Sequence, residues 1–177
     1  MRALEGIKVI DFSQVIAGPF ASQHLALLGA DVIKIEQPGT GDPGRKLLGD
    51  HDWGEAGLSP MFVSVNTGKR GMTLDLKHPR AKEILNRLLQ DADVVLENFK
   101  AGVIERLGFG YEAVRKIKPD IIYCSVTGYG QEGPYAGAAA YDGAIQATSG
   151  MVAVTGTPDT PVRAGFMSCL LYTSDAA

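Results

Sequence analysis

The sequence has few residues suited to disulfides or to metal sites. Its two cysteines, Cys124 and Cys169, cannot make a disulfide framework, and no CxxC pair suggests zinc. Its three histidines, His24, His51 and His78, have no ligand spacing. We therefore expect no bound metal. Cysteine usage this sparse also favours a reducing cytoplasm as the location of the protein.

The chain also lacks a basic excess, a long apolar run and an apolar leader. Its net charge is −3, whereas a nucleic-acid-binding protein usually carries a basic face. No apolar run approaches the roughly 20 residues that span a bilayer, and acidic residues interrupt the N-terminal segment MRALEGIKVIDF early. We expect neither nucleic acid nor membrane as a partner. Hydrophobic residues make up 45% of the 177 positions, enough for the core of one soluble domain.

A strand, a helix and a second strand are predicted in the first part of the chain. Residues 7–12 are apolar and β-branched, which is typical of a buried strand, and residues 31–36, DVIKIE, are predicted as a second strand. Pro19 suits the first turn of a helix between them, and Gly29 suits its C-terminal cap. Four residues in this helix recur at helical spacing: Ala21, His24, Leu25 and Leu28. Such a βαβ unit implies parallel strands joined by a right-handed crossover.

The alternation continues after a loop rich in Gly and Pro at residues 37–60. The later elements are strands at 61–66, 72–76, 93–96 and 120–125 and an amphipathic helix at 78–92. The predicted fold class is α/β, with a Rossmann-like, mostly parallel sheet and flanking helices.

Polar loops follow the predicted strands, and in such folds these loops form the ligand edge of the sheet. The loops are residues 13–19, 37–47, 97–102 and 127–142. The basic residues near them are Arg45, Lys46, Lys69, Arg70, Lys100 and Arg106. Together they make a phosphate-bearing ligand plausible, although any one of them taken alone is more simply a solvated surface charge.

Known nucleotide and hydrolase motifs do not fit. Glu36 ends a strand where a dinucleotide site would place a ribose-binding carboxylate, but the preceding turn reads SQVIAGP rather than GxGxxG. No P-loop, GxSxG or HExxH pattern occurs. The residues by themselves therefore indicate an α/β domain that binds a phosphorylated ligand, and a nucleotide-binding module without catalysis remains one alternative.

Several longer segments together carry a more specific signal. The segments LEGIKVIDFSQVIAGPFASQHLALLGADVIKIEQPGTGDPGR, NTGKRGMTLDLK and DVVLENFKAGVIERLGFGYEAVRKIKPDIIYCSVTGYGQEGPY follow one another in this order. This succession resembles the class III coenzyme A-transferases, the CaiB/BaiF family, over residues 3–167. The resemblance implies that residues 1–167 are the coenzyme A-binding domain of a longer protein that forms an intertwined homodimer. Residues 168–177 resemble a non-native tail, so we expect a truncated chain.

The resemblance also implies a binding site. The coenzyme A-binding positions it assigns are Val15, Ile16, Ala17, Leu74, Asp75, Leu76, Lys77, Asn98, Phe99, Lys100 and Arg106. Leu74 and Leu76 alternate along a predicted strand, which is equally typical of core residues. The implied substrates are an acyl-CoA and a carboxylic acid acceptor.

Catalysis in the family uses an aspartate as a covalent nucleophile. Counted from Gly165, the family's position for this aspartate holds Leu170, so the resemblance leaves the chain with no catalytic residue and predicts an inactive fragment. Asp175 is nearby but out of register. The α-methylacyl-CoA racemase branch of the family has a His-Asp pair where this chain has Tyr141 and Asp142. Tyr141 therefore favours transfer, with contact to the acyl group or acceptor, and racemisation is the alternative.

Overall fold

A five-stranded parallel sheet forms the centre of the protein. The structure is a computed structural model that describes residues 1–47 and 56–166. The strands are β1 (Lys8–Asp11), β2 (Asp31–Glu36), β3 (Arg70–Thr73), β4 (Val94–Glu97) and β5 (Ile122–Ser125). Their order is β3-β2-β1-β4-β5, and all neighbours are parallel. The predicted fold class and the four strands at 7–12, 31–36, 93–96 and 120–125 are thus confirmed.

Helices connect the strands and continue beyond the sheet. The α-helices in the described residues are α1 (Ala17–Leu27), α2 (Pro60–Ser64), α3 (Ala81–Gln90), α4 (Val103–Arg106), α5 (Tyr111–Val114), α6 (Asp142–Thr148) and α7 (Met151–Thr155). A 3-10 helix at Pro43–Lys46 lies in the long loop after β2. None of the helices described is long and apolar enough to cross a membrane.

Apolar layers cover both faces of the sheet. On one face Ile10 and Val95 pack with Leu85 and Leu89 of α3. On the other face the smaller residues of a second cluster, including Val9 and Val32 of the strands, lie against α1. Helices on both faces bury nearly all of β1 and β4, which is why the apolar residues of these strands are consecutive and do not alternate with polar ones.

The prediction of a strand at residues 61–66 is wrong, because helix α2 occupies most of this segment. Ser59 caps the helix by accepting a hydrogen bond from the Phe62 N–H (3.1 Å), and Pro60 occupies its first turn. These start signals outweigh the β-branched Val63 and Val65. The strand predicted next in the chain, residues 72–76, is confirmed only in part, because β3 ends at Thr73.

The residues that α1 buries against the sheet are not the set that the helical spacing predicted. Ser22, Gln23 and Ala26 are buried, whereas Leu28 is 50% exposed and His24 is exposed. Ser22 can be buried because its hydroxyl donates to Asp11 (2.6 Å). Parts of two predictions fall outside the described residues: the middle of the 37–60 loop with His51, and the tail 168–177 with Leu170, Cys169 and Asp175.

Candidate functional site

A cavity of about 320 Å³ lies at the carboxyl edge of the sheet. The chain leaves β1 toward β2 and leaves β4 toward β5, so the loops that follow these two adjacent strands diverge and open a crevice. The cavity is lined by Ala17, Asn98, Phe99, Lys100, Ala101, Val126, Thr127, Gly128, Tyr129, Ala136, Ala138, Ala139, Ala140 and Tyr141. Its walls are therefore made of small and aromatic side chains with one cation, a composition suited to a slender, partly apolar ligand arm.

The loop after β1 is fixed to the loop after β4 by one side chain. The Asn98 side chain accepts from the Gln14 N–H (2.7 Å) and donates to the Gln14 carbonyl (2.8 Å). Gly18 allows the start of α1 to fold close to this loop, because a Cβ there would overlap the Ser13 side chain. Together these contacts set the position of Ala17 in the cavity wall.

Buried charges lie beneath the same loop. Lys34 forms an ion pair with Asp42 (2.8 Å) and donates to the Ser13 carbonyl (2.7 Å), with both charged side chains no more than 2% exposed. Lys69 forms a second buried pair with Asp11 (3.1 Å). Burying ions is costly unless they are paired and hydrogen-bonded, so the pairs indicate a rigid polar layer between the sheet and the loop.

The protonation of two buried groups is shifted by this environment. Burial lowers the pKa of Lys69 to about 8, against the opposing attraction of Asp11. Burial raises the pKa of Glu97, although the hydrogen bond from the Phe99 N–H opposes the shift. Glu97 lies directly before Asn98 in sequence, and its bond to the Phe99 N–H (2.8 Å) turns the chain into the cavity wall.

Five of the residues predicted from the sequence meet in the cavity. Ala17, Asn98, Phe99, Lys100 and Tyr141 all line it, although they come from three separate loops. Tyr141 is 74% exposed and precedes α6, so its ring lies at the rim. Val15 and Ile16 precede Ala17 in the same loop without lining the cavity themselves.

The other predicted binding residues lie apart from the cavity. Leu74 and Leu76 pack against the main apolar core, while Asp75 accepts a hydrogen bond from the Lys77 N–H (3.0 Å). They follow β3 and therefore lie at the same edge of the sheet. Arg106 ends α4 and is exposed, with its guanidinium beside Gly102.

Three of the basic residues expected at the ligand edge are engaged elsewhere. Arg45 makes two hydrogen bonds to Glu36 (2.6 and 2.7 Å), and Lys69 is held by Asp11. Arg70 begins β3 and pairs with Asp31 (2.6 Å), which begins β2, so it lies at the opposite edge. Burial would raise the pKa of Glu36, but Arg45 and the Asp42 N–H hold it below its ordinary value. These three cations are therefore not free phosphate ligands, whereas Lys46, Lys100 and Arg106 are exposed.

Sequence reasoning missed a clamp that fixes the segment preceding position 167. Gln146 of α6 is 1% exposed. Its side-chain oxygen accepts from the Ala164 N–H (2.8 Å), and its nitrogen donates to Asp142 (2.6 Å) and to the Phe166 carbonyl (3.2 Å). A glutamine at a helical position gives no sign in the sequence that it will bind a distant backbone segment.

The second missed feature is the closure of the loop after β5. A Cβ on Gly128 would overlap the side chain of Ala140, so the two ends of this loop touch. The rings of Tyr129 and Tyr135 lie 5.8 Å apart within the same loop. The glycine-rich composition signalled a ligand loop, but it could not indicate which residues meet. No group of acidic, histidine or cysteine residues in the described part of the chain could hold a metal ion.

A parallel sheet with a ligand-sized cavity at its carboxyl edge defines an α/β domain of the ligand-binding kind. A sequence profile of CoA-transferase family III matches residues 4–174. The match includes residues 168–174, part of the segment predicted as a tail. The chain belongs to CoA-transferase family III.

Individual relatives agree with this assignment. Succinyl-CoA:glutarate CoA-transferase of Mus musculus is 44% identical over 169 residues, covering 93% of this chain and 37% of that protein. Formyl-CoA:oxalate CoA-transferase of Rhodopseudomonas palustris is 42% identical over 160 residues, covering 90% and 37%. The structure of a CAIB/BAIF family protein from Brucella suis matches with a TM-score of 0.86 and 39% identity, covering 99% of this chain and 48% of that one. The chain thus spans less than half the length of these relatives.

Proposed function

We propose that this chain is the coenzyme A-binding part of an enzyme that transfers coenzyme A from an acyl-CoA to a carboxylic acid. The observation that carries the proposal is the meeting of Ala17, Asn98, Phe99, Lys100 and Tyr141 around one cavity. These residues come from three separate loops, and the resemblance to the family assigns all of them to the site. Residues 1–167 form the binding domain in this proposal.

Coenzyme A has an apolar pantetheine arm and charged phosphates, and the site offers a counterpart for each. The arm enters the cavity between Ala17 and Phe99, with the thioester near Tyr141. The phosphates lie outside, near Lys100 and Arg106, which are exposed. Neither cation has a carboxylate within ion-pair distance in the described part of the chain. Cations without a carboxylate partner bind phosphate through charge-assisted hydrogen bonds.

The proposed chemistry is covalent exchange through an aspartate of the family. Its carboxylate attacks the thioester carbonyl and expels the coenzyme A thiolate, which leaves a mixed anhydride. The thiolate then attacks the aspartyl carbonyl and releases the donor acid, and the acceptor acid takes the coenzyme A by the reverse steps. This chain has Leu170 at the register position of the nucleophile. A leucine cannot form the anhydride, so the chain as written is inactive.

The relatives favour small dicarboxylic acids as the substrate class. The relatives compared above are named for succinyl-CoA with glutarate and for formyl-CoA with oxalate. A second carboxylate needs a cation or hydrogen-bond donor, and Lys100 and Tyr141 line the same cavity. Transfer rather than racemisation is favoured because Tyr141 replaces the histidine that racemases use as an acid and base.

A homodimer and a cytoplasmic location complete the proposal. Helix α7 buries none of its residues, and Val154 and Phe166 are 82% and 60% exposed. Apolar surface of this kind normally contacts other protein. In the intertwined dimer of the longer protein, these residues lie against the second copy.

Calorimetric titration of the chain with coenzyme A tests the proposed site. Arg106→Ala should weaken binding by about 1–3 kcal/mol if its guanidinium contacts a phosphate. The matched control is Arg87→Ala, because Arg87 is an exposed arginine of α3 that pairs with Glu83 (2.8 Å) on the same helix and does not line the cavity. Unchanged affinity of Arg106→Ala would remove this residue from the site, and equal losses in both variants would indicate unspecific electrostatics.

A further inference from the structure

Val15 has a backbone conformation that its side chain disfavours. Its φ is +68°, and it is the one residue other than glycine with positive φ among residues 1–47 and 56–166. A β-branched residue rarely adopts the left-handed region, which costs on the order of 1–3 kcal/mol when it does. Some other part of the structure must therefore hold the loop in this shape.

The contact that holds it comes from Asp42. The Val15 N–H donates to Asp42 Oδ1 (3.0 Å), which also accepts from the Gly44 N–H (2.7 Å). The second oxygen of Asp42 pairs with Lys34 (2.8 Å), and the Asp42 N–H donates to Glu36 (2.9 Å). The Asp42 side chain is fully buried. Its carboxylate thus joins the loop after β1 to the loop after β2 at a site that solvent does not reach.

Each residue before Val15 in the loop is also fixed from outside the loop. Lys34 binds the Ser13 carbonyl, and Asn98 binds both backbone groups of Gln14. Val15 is the last of the three and the only one with a strained φ. Its conformation sets the direction in which the following peptide groups enter the cavity wall at Ala17.

We propose that Asp42 is a positioning residue that holds Val15 in the left-handed conformation and so places Ala17 in the cavity wall, where coenzyme A binds. This inference rests on the proposed function. Asp42 acts through Val15 and does not itself touch the ligand. Neither the family match nor the names of the relatives assign a role to this aspartate.

A double-mutant cycle separates positioning from general support of the fold. Coenzyme A affinity is measured by calorimetry for the wild type, Asp42→Ala, Val15→Gly and the double variant. Asp42→Ala should weaken binding about tenfold or more in the wild-type background. Glycine adopts the left-handed region without strain, so the same change in the Val15→Gly background should cost less than about threefold. Equal losses in both backgrounds would overturn the proposal.

A conservative variant and a ligand-free measurement keep the test decisive. Asp42→Asn retains an oxygen that can accept from the Val15 N–H but removes the negative charge that pairs with Lys34, so it should lose less affinity than the alanine variant without matching the wild type; a loss as large as that of the alanine variant would overturn the proposal. Amide hydrogen exchange should accelerate at Val15 in Asp42→Ala while amides of β1 keep their protection. If Asp42→Ala fails to fold, Asp42→Leu combined with Lys34→Met, with and without Val15→Gly, carries the same comparison, because it removes the bond to Val15 and leaves no buried charge unpaired.

The two hypotheses fail in different ways. If the wild type does not bind coenzyme A, the proposed function fails, and Val15 amide exchange still decides whether Asp42 holds the loop. If the wild type binds but exchange at Val15 is the same in Asp42→Ala, the proposed function stands and the positioning role is wrong.

Discussion

Replacing Gln146 should release the segment that leads toward position 170. The Gln146 side chain accepts from the Ala164 N–H (2.8 Å) and donates to the Phe166 carbonyl (3.2 Å) from a site that is 1% exposed. Gln146→Ala removes both bonds to this segment. At roughly 0.5–1.5 kcal/mol for each neutral hydrogen bond, the closed state loses about 1–3 kcal/mol.

Amide hydrogen exchange measures this loss directly. Since about 1.4 kcal/mol corresponds to a factor of ten, exchange at Ala164 should accelerate about 5-fold to 150-fold. Amides of β1 should not change, because the sheet does not depend on this clamp. Thr148→Ala is the matched control, since Thr148 lies on the same helix and bonds only to backbone of its own turn. Unchanged exchange at Ala164 in Gln146→Ala would refute the reasoning.

Two further predictions concern stability and activity. The folded chain holds the Lys69 proton with a pKa of about 8 against an ordinary 10.5, so the unfolded chain binds more protons between these values and stability rises with pH there. In urea titrations, the free energy of unfolding of the wild type, measured relative to Lys69→Met, should rise by about 3 kcal/mol between these two pH values. If the difference between the two proteins does not change with pH, burial does not lower the pKa of Lys69. In assays of coenzyme A exchange from labelled acyl-CoA to a panel of carboxylic acids, neither the chain nor its Leu170→Asp variant should turn over. The restored carboxylate of Leu170→Asp would lack the segments that position it, and a misplacement of about 1 Å can lower the rate on the order of a hundredfold. Turnover by the unaltered chain would mean that the nucleophile lies elsewhere, with Asp175 and Asp142 as the first candidates.

Most of the sheet could be predicted because its strands are buried on both faces. Residues 93–96, for example, are apolar apart from Asp93, and such a short continuous apolar run indicates a parallel strand covered by helices. Helix α2 could not be predicted from hydrophobic pattern, since Val63 and Val65 favour a strand and the decisive signal is the capping by Ser59.

The sequence could predict the residues of the candidate site that the resemblance assigns one by one, but not the contacts between its loops. The resemblance selected Asn98 and Tyr141, which line the cavity. Lys34 inside an apolar strand signals a buried ion pair, but its partner Asp42 lies in a loop whose path the sequence does not define. Pairing across loops depends on tertiary structure, and Gln146 was missed for the same reason.

The central claim is that coenzyme A binds in the cavity at the carboxyl edge of the sheet. The most direct measurement is an amide NMR titration of the chain with coenzyme A, which detects weak as well as tight binding. The predicted result is a set of saturable shifts at Ala17, Asn98, Gly128 and Tyr141. The amide of Arg87 should not shift, because Arg87 lies with the first residues of β1, β2 and β3 at the opposite edge of the sheet. Shifts confined to the opposite edge, or none at saturating coenzyme A, would contradict the claim.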